Sequence, residues 1–191
     1  MTWQPGDLVS LDTSRFTIRS VEREDVTETF LNWLTDDDVV IGMNTPQRQM
    51  SVAQGIRWIL SYDNEKRFFL MVIDKESQTA IGFFTLTLDP HNVAETAVVV
   101  GDRDFWGQNV VMESRSAILD FAFDTLGVHK IIGRPHGRNF ASIFNYNAMG
   151  FTCEAVLRQQ MKAAKQDERL DQLVYGIFAD EWRNRQEAID V

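Results

Sequence analysis

The stretch VVVGDRDFWGQNVVMESRSAILDFAFDTLG, Val98 to Gly127, decides the fold. It begins as a β-branched apolar run, which reads as a buried strand. It turns polar and aromatic around Gly101 and Gly107, and after Asn109 apolar residues return at helical spacing: Val111, Ile118, Phe121 and Ala122. Strand, tight turn and helix N-terminus in that order make an anion site. The first amides of a helix have no internal partners, and the macrodipole puts partial positive charge there. The turn is expected to hold a phosphate.

Upstream, residues 1–13 read as a loose leader. Phe16–Val21 alternates like a half-buried strand, and Glu24–Leu34 carries Val26, Phe30, Trp33 and Leu34 at helical spacing. Thr35–Met50 reads as a polar connection; its Asp36-Asp37-Asp38 run lacks the alternation of a calcium loop and reads as a solvated helix end. Ser51 and Gln54 form a capping box that opens a further helix. Phe68–Asp74, Ala80–Leu88 and Val93–Val100 form an antiparallel meander with turns at Lys75–Gln78 and Asp89–Asn92.

Downstream, Gly127 stops the long helix. His129–Arg134 is a short strand. Asn139–Met149 is a helix with Phe140, Ile143 and Phe144 on one face. Phe151–Met161 and Leu170–Phe178 are two more strands, and residues 179–191 are a charged tail. This order predicts an α+β protein, a mixed sheet with helices on both faces, in one domain over residues 14–178.

The 191 residues, 44% hydrophobic and 25% charged, are ordinary for a globular chain. At that length about 70% of the unfolded surface is buried on folding, so no metal or disulfide is needed. One cysteine, Cys153, and the lack of a signal or transmembrane pattern point to the cytoplasm and away from a membrane. A net charge of −9 disfavours nucleic acid as partner and favours a cationic one.

Two segments then carry a resemblance. Gly101-Asp-Arg-Asp-Phe-Trp106-Gly107-Gln-Asn109 precedes a helix with Glu113 and Phe121-Ala-Phe123. Asn139-Phe-Ala-Ser142-Ile-Phe-Asn-Tyr146-Asn-Ala-Met-Gly150-Phe151 follows after a short strand. Together they resemble the GNAT superfamily of N-acetyltransferases, in particular the branch that acetylates the N-termini of ribosomal proteins. The resemblance implies a GNAT-like acyl-CoA N-acyltransferase fold, acetyl-CoA as cosubstrate, a primary amine as acceptor (a protein N-terminus or a small amine) and no metal. It implies that backbone amides of Trp106, Gly107, Gln108, Asn109, Val110 and Val111 cradle the pyrophosphate. One position departs from the pattern: Asn109 stands where the family carries glycine or alanine. Asparagine tolerates positive φ, so the backbone path is expected to survive while the side chain crowds the phosphate.

By the same resemblance Tyr146 serves as general acid for the leaving thiolate; a phenol keeps its proton at neutral pH and can hand it over. Val99 or Val100 supplies the N–H that polarises the thioester carbonyl. Asn139 contacts the cofactor or caps its helix, and Ser142 lies one turn on. Glu95 is the expected base for the ammonium, with His91 in reserve. Arg134, His136 and Arg138 form a basic cluster that suits the adenosine phosphate. Trp33, Trp58, Phe83 and Phe84 are aromatics for the core or for an acceptor pocket, and Cys153 is expected to be packed. The oligomeric state stays open, a homodimer included. The competing class is a non-catalytic GNAT-like module that binds an acyl-CoA.

Overall fold

The computed structural model describes residues 3–189. Eight strands form one sheet in the order β1-β2-β3-β4-β5-β6-β8-β7. They are β1 (Ser10–Asp12), β2 (Phe16–Ser20), β3 (Arg67–Asp74), β4 (Ala80–Leu88), β5 (Val93–Val100), β6 (Lys130–Gly133), β7 (Thr152–Lys162) and β8 (Arg169–Phe178). Every pairing is antiparallel except β5 with β6. The helices are α1 (Glu28–Trp33), α2 (Asp37–Met43), α3 (Val52–Ile59), α4 (Val110–Asp120), α5 (Phe140–Ala148) and α6 (Ala179–Ile189). No described helix is long and apolar enough to cross a membrane.

Strand β3 shows why the sheet is covered on both sides. Its residues Phe68, Leu70 and Val72 point into one apolar cluster with Ile118, Leu119 and Ala122 of the α4 segment. The alternate residues Phe69 and Met71 point into a second cluster with Phe30 and Trp33 of α1 and Ile59 of α3. Side-chain period 2 in a strand and 3.6 in a helix produce this division. Phe83 and Phe84 fall on opposite sides for the same reason, so the four expected aromatics do not line one pocket.

Several expectations are corrected. The leader expected over residues 1–13 is not detached from residue 3 on (Met1 and Thr2 lie outside the described residues): β1 pairs with β2, Val9 is buried, and Trp3 packs edge-on against Phe121. The connection over Thr35–Met50 contains α2, whose N-cap is Asp36, accepting from the Asp38 and Val39 amides. The first helix starts only at Glu28, after a 3-10 turn at Arg23–Asp25. The charged tail forms α6 as far as Ile189 (Asp190 and Val191 lie outside the described residues); Trp182 is buried and its indole N–H donates to Asp120 at 2.7 Å. Phe140 and Phe144 are exposed, because α5 instead turns Tyr146 and the following Met149 inward. Cys153 is exposed too, on an outer strand.

Candidate active site

The site is an opening in the sheet. β5 pairs with β4 along its length, from Ala94 to Val100, but with β6 only at Val93, Ala94 and Glu95. From Thr96 onward its second edge has no strand beside it. Register decides which groups face this gap. The Gly101 N–H donates to the Ile81 carbonyl at 2.9 Å, and Gly82 pairs with Val100. Antiparallel pairs alternate between bonded and non-bonded. Val99 therefore turns its N–H toward β4, whereas Thr96, Val98 and Val100 turn theirs to the gap. Two bonds agree: the Trp106 indole N–H donates to the Val100 carbonyl at 2.8 Å, and the Tyr146 hydroxyl donates to the Thr96 carbonyl at 3.4 Å. Of the two expected donors, Val100 faces the gap and Val99 does not.

At the end of β5 the chain enters the loop before α4. Gly107 has φ +75° and Asn109 φ +60°, so asparagine takes the left-handed conformation a glycine would take. Its side chain makes no cap bond to α4. The Trp106 and Gln108 amides donate within the turn, to Arg103 and Phe105 carbonyls at 3.0 and 3.3 Å. That leaves Gly107, Asn109 and the first helical amides, Val110, Val111 and Met112, as the donors open to an anion. A pyrophosphate fits this set: the amides are consecutive, exposed at Gly107 and Asn109, and start an eleven-residue helix.

A clamp absent from the sequence reading holds the loop. Glu113 accepts from Thr13 Oγ1 at 2.7 Å, Ser14 Oγ at 3.0 Å, and the Arg15 amide and Nε at 2.8 Å each. Arg15 Nη2 also donates to the Gln108 carbonyl at 2.7 Å. Burial pushes the Glu113 carboxyl up, but the bonds from Thr13, Arg15 and Ser14 outweigh it and hold the pKa at about 2. On the other side of the loop, Arg103 pairs with Asp36 at 2.6 Å and Asp38 at 2.7 Å, tying the loop to the start of α2. The Arg103 guanidinium holds the Asp36 carboxyl below its usual range.

Tyr146 is buried at the far end of the gap. Its ring stacks on Tyr175 with centroids 5.2 Å apart and meets Phe151 edge-on at 5.0 Å. Gly133, the last residue of β6, makes room for it: a Cβ there would lie 1.9 Å from the hydroxyl oxygen. Asn139 caps α5 by accepting from the Ser142 amide at 3.0 Å, and its Nδ2 donates to the Gly42 carbonyl at 2.7 Å. Both ends of that side chain are engaged, so it acts as cap and as anchor for α2. Ser142 is half-buried.

The remaining candidates disperse. Glu95 is exposed and pairs with Arg134 at 3.3 Å. It lies one residue before Thr96, on the opposite face of β5. The basic cluster does not converge: Arg134 meets Glu95, Arg138 grips Glu168, and the buried His136 places Nε2 3.2 Å from the Ile41 and Gly42 carbonyls. His91 is an exposed turn residue.

A mostly antiparallel sheet that splays beside a helix start open to anions, with a phenol in the splay, defines the class as a GNAT-fold acyltransferase. The family model described as "Acetyltransferase (GNAT) domain" matches residues 15–152, and the chain belongs to that family of N-acetyltransferases. An uncharacterized N-acetyltransferase, p20, of Bacillus licheniformis is 30% identical over 160 residues, covering 81% of this chain and 88% of its own. Among solved structures, a spermidine N-acetyltransferase from Vibrio cholerae, in complex with CoA and spermine, superposes with TM-score 0.80 at 19% identity, over 90% of this chain and 99% of its own. A ribosomal-protein-S5-alanine acetyltransferase from Vibrio fischeri gives 0.77 at 18% identity, over 91% and 98%. At such identities the likeness to these two is one of fold.

Proposed function

We propose that the protein transfers an acetyl group from acetyl-CoA to a primary amine by direct attack, with no covalent enzyme intermediate. One observation carries the reading: the free amides at the start of α4 and the Tyr146 hydroxyl mark two ends of one gap along β5. Bound there, acetyl-CoA would supply a thioester activated toward amines. The amides of Gly107, Asn109, Val110, Val111 and Met112 hold the pyrophosphate. Trp106 and Gln108 shape the loop around it. The N–H of Val98 or Val100 donates to the carbonyl oxygen as negative charge develops on it. Tyr146 gives its proton to the departing sulfur. Glu95, exposed beside the gap, draws the acceptor ammonium and takes its proton, directly or through water.

The acceptor is a cationic amine, either a small one or a protein N-terminus; the net charge of −9 supports attraction of a cation. The two structural neighbours are named for one of each kind. The single cysteine supports a cytoplasmic setting.

Free-thiol release from acetyl-CoA, followed with a panel of polyamines, amino sugars and N-terminal peptides, tests the reading. At least one amine should give stoichiometric thiol and a product heavier by one acetyl group. Y146F should lower kcat about 10²-fold with the acetyl-CoA Kd within about twofold. A Y146F protein as fast as the native one would overturn the assignment of the acid.

A further inference from the structure

Arg115 is the largest fully buried side chain among the described residues. It lies on the inner face of α4, and none of Nε, Nη1 and Nη2 has a hydrogen-bond partner among the described residues. A buried guanidinium without a counter-charge costs several kcal/mol, so such a group calls for an explanation. Two aromatic faces surround it. Its Cζ sits 4.5 Å from the ring centroid of Tyr146 and 5.7 Å from that of Phe84. Cation–π attraction offsets part of the burial cost and leaves the charge uncompensated. No carboxylate pairs with it among the described residues.

Among the described residues, the ionisable group whose ring packs on the guanidinium is the Tyr146 phenol, which carries a matching charge only when deprotonated. Burial pushes the Arg115 pKa down, and interaction with Tyr146 alone acts against it. The other titratable group against the pair is Tyr175, stacked on Tyr146; burial raises its pKa, followed by repulsion from Cys153, so it stays neutral. The other ring against the guanidinium, Phe84, is uncharged.

We infer that Arg115 is the counter-ion for the phenolate left on Tyr146 when that residue has protonated the leaving thiolate. The inference rests on the acid role proposed above. In that step the C–S bond breaks with its electron pair going to sulfur. The Tyr146 O–H bond breaks, an S–H bond forms, and the negative charge passes to the phenolic oxygen. A proton released from the acceptor ammonium restores the phenol through solvent. In a site of low dielectric a fixed cation 4.5 Å over the Tyr146 ring stabilises the charged state with no reorganisation. Buried from solvent, Arg115 is a positioning residue that acts through Tyr146.

R115M and R115K test this, with R115Q as the second neutral variant should R115M not fold. R115M should keep the acetyl-CoA Kd and a Tm no lower than native, because it removes an unpaired buried charge. Its kcat should fall about tenfold, and R115K should recover most of the loss. In a Y146F background R115M should cost nothing more. An unchanged kcat in R115M, or the same tenfold loss without the phenol, overturns the inference. If the native protein acetylates no amine, the acid reading fails and an alkaline titration at the tyrosinate absorbance decides alone, with Y146F subtracted. Ionisation at higher pH in R115M than in the native protein sustains the pairing; identical titrations overturn it.

Discussion

Glu113 ties the first hairpin to the anion loop, and its acidity makes that tie dependent on pH. Its carboxyl titrates at about 2 in the fold against 4.5 for the ordinary group. A depressed folded value contributes stability that is fully present above 4.5 and is lost as pH falls toward about 2. E113Q should therefore lower stability at pH 7 by about 1–2 kcal/mol in urea unfolding, and its acid limb should lack the native decline between those values. A second test concerns Asn109. A β-branched residue at φ +60° is strained by about 1–2 kcal/mol, so N109V should open the loop and weaken CoA binding about tenfold by calorimetry. The tolerance of Asn109 for positive φ was legible from residue type alone. The Glu113 clamp was not, because its partners Thr13–Arg15 lie about a hundred positions away and no local pattern marks them. Arg115 was hidden too: a charged residue on a helix reads as solvent-facing until the fold shows what covers it.

Among the elements, β5 and β6 matter most. The three-residue parallel pairing ends at Glu95, and the gap beyond it exists because β6 is short and closes at Gly133. G133A would drive a methyl group into the Tyr146 hydroxyl. The backbone there cannot yield without breaking the β6–β8 ladder, so Tyr146 must leave the gap. The expected result is a Tm lower by several degrees and a kcat at least as low as that of Y146F, read by calorimetry and thiol release. The meander Arg67–Val100 was readable because each strand is an apolar run bounded by turn residues. Helix α2 escaped notice, since seven residues with two leading carboxylates present too little periodicity. Phe140 and Phe144 misled for a related reason: spacing identifies a stripe, but only packing shows whether anything covers it.

Across the whole molecule, element order and two motifs were sufficient to identify a GNAT sheet, because βα order constrains topology strongly. The site was legible in its backbone frame, the turn around Gly107 and the helix start after Asn109. It was illegible where long-range ion pairs engage the candidates: Arg134 and Arg138 looked like a free basic patch and are each paired with a carboxylate. The acceptor side inherits this. Glu95 shares its charge with Arg134 at the surface, and its pull on an amine, like that of the net charge of −9, is screened by salt, so KM for a cationic acceptor should rise with ionic strength while the acetyl-CoA Kd changes less.

The proposed function requires one gap to hold CoA between the start of α4 and Tyr146. A titration with CoA followed through assigned backbone amide resonances tests it most directly. The largest shifts are expected at Gly107, Asn109, Val110, Val111 and Met112, with a second set at Val98 and Val100 along the open edge of β5. Binding that leaves those amides unmoved, or no binding at millimolar CoA, would contradict it.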